Sequence, residues 1–218
     1  LNDVRLDAVT EALAAAGDDV TIVFVGPFET HDREHWRDYY ARKGVTFVVP
    51  DSPPFPLEGP DHARASFLAY NWLKQQARFD VIHFPEINGV GFYALTAKQL
   101  GLAFEATCLA VTLHSPTLWH RLENQEAVVD TEDLVLDFME RACVANADVL
   151  ISPTRYLLRW AVDWGFQLPT QVHVQANLTR AAAAPRRGST GLPEELVFFG
   201  RLETRKGLQL FCDALELL

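Results

Sequence analysis

The 218-residue chain carries 19 basic against 29 acidic side chains, a formal net charge of −10, and no long basic run, which excludes nucleic-acid binding through a basic face. Its 49% hydrophobic content is ordinary for a soluble globular chain, and its apolar runs stop well short of a membrane span. The length suits one large domain or two smaller ones. The start, Leu1-Asn2-Asp3-Val4-Arg5, is polar and has no signal-peptide pattern. Cys108, Cys143 and Cys212 are odd in number and lack metal or redox spacing, so they read as reduced core thiols in a cytoplasmic protein.

In chain order, Asn2 or Asp3 is placed to cap a first helix whose apolar face is Val4, Ala8, Val9, Ala12, Leu13 and Ala16, with Gly17 ending it. Val20 to Val25 follows as an apolar strand suited to a parallel sheet covered on both faces. Glu29 to His35 contains His31-x-x-Glu34-His35, which can read as a zinc site or as a helix capped by Thr30 with a wet face. Nothing else marks a third ligand, so no metal is expected there. Gly44 releases a strand over Val45–Val49, and the prolines of Asp51–Pro60 make that segment a loop, either functional or a spacer. A helix is predicted from about Asp61 to Ala77, then a strand over Asp80–Phe84.

That strand runs into the turn Pro85-Glu86-Ile87-Asn88-Gly89-Val90-Gly91 and a helix ending near Gly101. Glu86, Asn88 and Gly89 are the turn's candidates for contact with a ligand in the cleft; Glu86 reads equally as an exposed first-turn acid favoured by the helix dipole. Cys108–Leu113 reads as a strand that delivers His114 to its carboxyl end, where open α/β sheets bind ligands. A helix over Asp130–Asn146 opens with Asp130-Thr131-Glu132-Asp133, acids that suit capping and the dipole. No Asp-x-Asp pair for a manganese ion occurs anywhere. A strand over Ala147–Thr154 feeds a capped helix over Arg155–Trp164, with Ser152 and Thr154 as caps, and Gln171–Val174 is a further strand. Residues 179–193, rich in Ala, Gly, Pro and Arg, read as a linker. Leu196–Phe199 then reads as a strand, Gly200–Gly207 as a loop, and 209–218 as a helix. Arg201 and Lys206 would stand at the two ends of that loop, five positions apart, as a grip for a diphosphate or as two solvated cations. Helices alternating with six buried strand candidates predict an α/β fold, a Rossmann-like parallel sheet with helices on both faces.

Gly200-Arg201-Leu202-Glu203-Thr204-Arg205-Lys206-Gly207 resembles the signature that opens the second domain of retaining family-4 (group 1) glycosyltransferases, which have the GT-B fold. Similar matches stand upstream in the expected order: Asp80-Val81-Ile82-His83 before a polar turn, Thr112-Leu113-His114, and Glu140-Arg141 followed by Ala147-Asp148-Val149-Leu150-Ile151-Ser152-Pro153-Thr154. Where the family has a Pro-Asn-Gly-like turn, this chain keeps Asn177 alone. The resemblance implies metal-independent, retaining transfer of a sugar from a nucleoside-diphosphate sugar to an acceptor of unspecified chemistry, with no cofactor. It implies that Arg201 and Lys206 hold the diphosphate and that His114 contacts the donor sugar, with Glu86, Asn88 and Gly89 near the sugar or acceptor. It also implies a domain division. Residues 1–178 would be an acceptor-side domain lacking its first strand and Gly-rich loop, 179–193 a linker, and 194–218 the first strand–helix unit of the nucleotide-sugar domain, a piece expected to be inactive alone. A sugar-nucleotide epimerase of the same architecture, or a scaffold domain without catalysis, are the alternatives.

Overall fold

In the computed structural model of the chain, residues 4–26, 30–178 and 195–217 are described. Val20–Val23 (β1) pairs in parallel with Val45–Val48 (β2), Val20 lying opposite Val45. Val81–Pro85 (β3), Cys108–Thr112 (β4), Val149–Ser152 (β5) and Gln171–Val174 (β6) form a second parallel sheet in the order β3-β4-β5-β6. Parallel neighbours cannot be joined by tight hairpins and need crossover helices. The helices are Val4–Ala16 (α1), Thr30–Ala41 (α2), Asp61–Leu73 (α3), Phe92–Gln99 (α4), Thr117–Glu123 (α5), Thr131–Ala145 (α6) and Arg155–Asp163 (α7). The result is the expected α/β fold, parallel strands flanked by helices.

The main core forms on β4, whose Leu109, Ala110, Val111 and Thr112 are all buried, as a strand covered on both faces must be. Leu150 of β5, Leu95 of α4, Cys143 and Val144 of α6 and Ala161 of α7 pack into it. A smaller core joins Ile22, Tyr40, Val45, Phe47 and Val49, with the Tyr40 ring stacked on Phe47. There Asp7 of α1 accepts from the Tyr39 and Tyr40 hydroxyls at 2.5 and 3.1 Å and pairs with Lys43 at 3.2 Å. That knot ties α1 to α2.

Several expectations change. The strands fall into sheets of two and four, and no ladder joins β1 to β3 among the described residues. α3 stops at Leu73, four residues short of Ala77, because Lys74–Ala77 are exposed and have no apolar side to bury. Thr154 caps α7 by accepting from the Leu157 N–H, but the Ser152 hydroxyl donates instead to the Thr154 carbonyl and is no cap. Asp130 caps α6 through the Asp133 N–H. Of the cysteines read as core thiols, Cys143 is buried, Cys108 is half-buried, and Cys212 is exposed. The strand expected at Leu196–Phe199 does not form: Val197 is 74% and Phe199 fully exposed. An extended segment without a neighbouring strand has no ladder to hold it. The expected caps Asn2 and Asp3, the linker 179–193, Leu218 and the side chains of Thr30 and His31 lie outside the described residues.

Leu150 is fully buried where β5, α6 and α7 meet, so Leu150→Ala should cost about 2–5 kcal/mol in chemical unfolding, the scale of a core cavity. Val81, 59% exposed on β3, should tolerate alanine at a cost below about 0.5 kcal/mol.

Candidate functional site

The loops that follow β3 and β4 gather at the carboxyl edge of the larger sheet. β3 ends in Pro85, and Glu86 leads into a single 3-10 turn, Ile87–Gly89. Asn88 and Gly89 both take left-handed backbone, at φ 61° and 57°. Glycine is required at 89 for a second reason: a Cβ there would lie 2.7 Å from the Met139 Cβ on α6. The turn is thereby pressed directly onto α6. β4 delivers Leu113, His114, Ser115 and Pro116, after which α5 begins at Thr117. Within the sheet, the His83 Nε2 and the Thr112 Oγ1 lie 2.5 Å apart and link the ends of β3 and β4.

Two carboxylates hold these loops together. Glu86 is fully buried, with Oε2 accepting from the His114 N–H at 2.6 Å and Oε1 from the Ser115 N–H at 2.7 Å. Glu140, fully buried on α6, accepts from the Thr117 N–H and hydroxyl at 2.7 Å each and from the Asn88 N–H at 3.0 Å. Burial pushes the Glu86 carboxyl up to about 8, the His114 N–H pulls it back, and the Glu140 charge adds to the rise. Burial likewise pushes Glu140 up to about 7 against its Thr117 hydrogen bonds, and Asp137 adds to the rise. No cation pairs with either glutamate among the described residues. Five N–H and O–H donors from Asn88, His114, Ser115 and Thr117 hold the pair.

The other expected residues lie as follows. His114 is half-buried at the carboxyl end of β4, its backbone fixed by Glu86. The Asn88 side chain is exposed, while Gly89 is buried. Glu86 is not the exposed first-turn acid of one reading; both its oxygens are spent on the His114 loop. Arg201 and Lys206 are exposed on one loop, Gly200–Gly207, which runs through a 3-10 turn, Thr204–Lys206, into a last helix, Leu208–Leu215 (α8). The loop folds back on itself, so a Cβ at Gly200 would lie 3.9 Å from the Lys206 Cβ. The Arg201 Nε is 2.9 Å from Glu203 Oε1.

That loop rests on α5. The Arg205 N–H donates to Asn124 Oδ1 at 3.2 Å, and the Arg205 guanidinium lies over the Trp119 ring, 5.5 Å from its centre. Glu203 Oε2 is 2.8 Å from Arg205 Nε and 3.7 Å from His120 Nε2. Glu140, Thr117, Glu203 and Arg205 had no assigned role in the sequence reading. Glu140 left a signal, because it shares the buried stripe of α6 with Asp133, Cys143 and Val144, a place where an acid needs partners. The contacts of Arg205 leave none, since its partners stand 81 and 86 positions upstream. Among the described residues, no group of three or more His, Cys, Asp and Glu gathers as metal ligands.

A parallel α/β sheet with its polar loops collected at the carboxyl edge is the architecture of a Rossmann-like domain. Residues 3–193 match the family model described as the glycosyl transferase 4-like domain, and the chain belongs to that family. A comparison with curated proteins gave no match. Membership makes the chain a glycosyltransferase domain, whose reaction needs a sugar donor and an acceptor. No helix among the described residues is long and apolar enough to cross a membrane.

The glutamate pair has a measurable signature. Both carboxyls stand above their ordinary value of 4.5 in the fold, so the folded chain holds protons that the unfolded chain has already lost. The stability they contribute is complete below about pH 4.5 and is lost as pH rises through about 7 and 8. Urea unfolding should therefore show stability falling as pH rises from about 4.5 to about 8, and Glu140→Gln should flatten that fall.

Proposed function

We propose that the protein transfers a sugar from a nucleoside-diphosphate sugar to an acceptor, with retained configuration and without a metal ion, in the manner of a GT-B enzyme. Arg201 and Lys206 hold the departing diphosphate. His114 orients the donor sugar, and the turn at Asn88 and Gly89 borders the sugar and acceptor, with Glu86 holding that edge in shape from beneath. Fixed cations suit a diphosphate leaving group because their charge is already in place when negative charge develops. The observation that supports this reading best is the seating of the Gly200–Gly207 loop on α5, the helix that opens three residues after His114. It brings the cation-bearing loop to the same edge of the sheet as the β4 loop.

The same proposal divides the chain into an acceptor-side domain over 1–178, a linker over 179–193 and the opening of a donor-side domain over 194–218, in a cytoplasmic enzyme. It also makes the 218-residue chain inactive alone. Among the described residues its donor side offers one loop and one helix, with both cations exposed.

The test uses the enzyme expressed at its full natural length. Product analysis with nucleoside-diphosphate sugars should show an anomerically retained glycoside that requires the acceptor. A rearranged donor formed without acceptor would instead identify an epimerase, and no calorimetric uptake of nucleoside diphosphates would identify a scaffold. In the active enzyme, Arg201→Ala should lower kcat/KM by a factor equivalent to about 2–4 kcal/mol, the scale of one preorganised charge-stabilising group. An unchanged kcat/KM would remove Arg201 from the assignment.

A further inference from the structure

We propose that Glu86 and Glu140 are positioning residues that must be anionic together to set the backbone of the loop presenting His114. The inference rests on the function proposed above for its kinetic readout, but its structural readout stands apart. The argument begins with the donors. Each oxygen of Glu86 already faces a backbone N–H, of His114 and of Ser115. A proton on either oxygen turns one acceptor site into a donor and weakens the acceptors that remain, so the two-point hold on the loop loosens. Glutamine at 86 would do the same permanently, because its amide nitrogen must replace one acceptor. Glu140 is as fully engaged, by Asn88 on one loop and by both polar groups of Thr117 on another.

Burial and mutual repulsion work against this requirement. Other titratable groups stand around the pair. On α6 stand Asp137, which pairs with Arg141, and the buried thiol of Cys143. On α3 the buried His62 stands 3.6 Å from Glu132. His114 stands on the loop itself. The bond pattern that fixes His114 thus depends on two carboxylates whose ionisation falls near neutral pH. Loss of one proton-free oxygen shifts the loop, and a misplacement of about 1 Å in a positioning element costs up to about a hundredfold in rate.

Two readouts test this in the enzyme at its full natural length. The backbone amide resonances of His114 and Ser115 should move together on titration, with a midpoint between about 7 and 8, and Glu86→Gln should abolish that movement. With a fixed donor and acceptor, kcat should rise with pH over the same range while KM for the donor stays nearly constant. In Glu86→Gln the rise should vanish and kcat at alkaline pH should drop about tenfold to a hundredfold. Amides of His114 and Ser115 that do not titrate in the wild type overturn the proposal whether or not sugar transfer is found. A wild-type titration that persists in Glu86→Gln overturns it equally. If sugar transfer is absent while the amide titration behaves as described, the function reading fails and the positioning role of the pair stands.

Discussion

Two buried glutamates bind the functional edge of this domain into one piece. Glu86 extends from β3 to the loop after β4, and Glu140 reaches from α6 to both that loop and the turn after β3. Backbone N–H groups at loop starts would otherwise need water or a ligand, and here carboxylates supply the acceptors. The arrangement is costly in isolation, since each charge is desolvated and neither pairs with a cation among the described residues. It persists because the five donors that surround it would be unsatisfied without it. The flat packing of Gly89 on Met139 belongs to the same design: only without a Cβ can the turn approach α6 closely enough for Glu140 to reach Asn88.

The second feature is the charge pattern of the Gly200–Gly207 loop. The chain is strongly acidic overall, yet Arg201, Arg205 and Lys206 are concentrated there within six positions, with Glu203 among them. Glu203 contacts Arg201 with one oxygen and Arg205 with the other. Arg205 is turned toward Trp119, one-tenth exposed, and serves the seating on α5. Arg201 and Lys206 stay in solvent. Arg205 is thus committed to anchoring while Arg201, in contact with Glu203, and Lys206 face outward, a division that the bare motif does not reveal.

Much of the fold was legible because parallel strands covered on both faces leave continuous apolar runs. Cys108–Leu113 and Gln171–Val174 were placed within a residue of β4 and β6, and Thr154 and Asp130 cap helices as their side chains suggest. His114 was found at a strand's carboxyl end by the same logic. What failed depends on distant partners. Glu86 next to a helix start looks like a dipole acid, and only the burial created by α6 and the β4 loop converts it into an acceptor for residues 28 and 29 positions away. Glu140 bonds a residue 52 positions upstream. Leu196–Phe199 is apolar enough for a strand, but strand formation requires a neighbour that local sequence cannot supply.

The central claim is that buried carboxylates, rather than solvent, satisfy the backbone at this edge. Amide hydrogen exchange measures it directly. The N–H groups of Asn88, His114, Ser115 and Thr117 should be protected about as strongly as those of β4, although none lies in a strand or within a helix's own hydrogen-bond ladder. Exchange at the rate of exposed loops at all four positions would contradict the account.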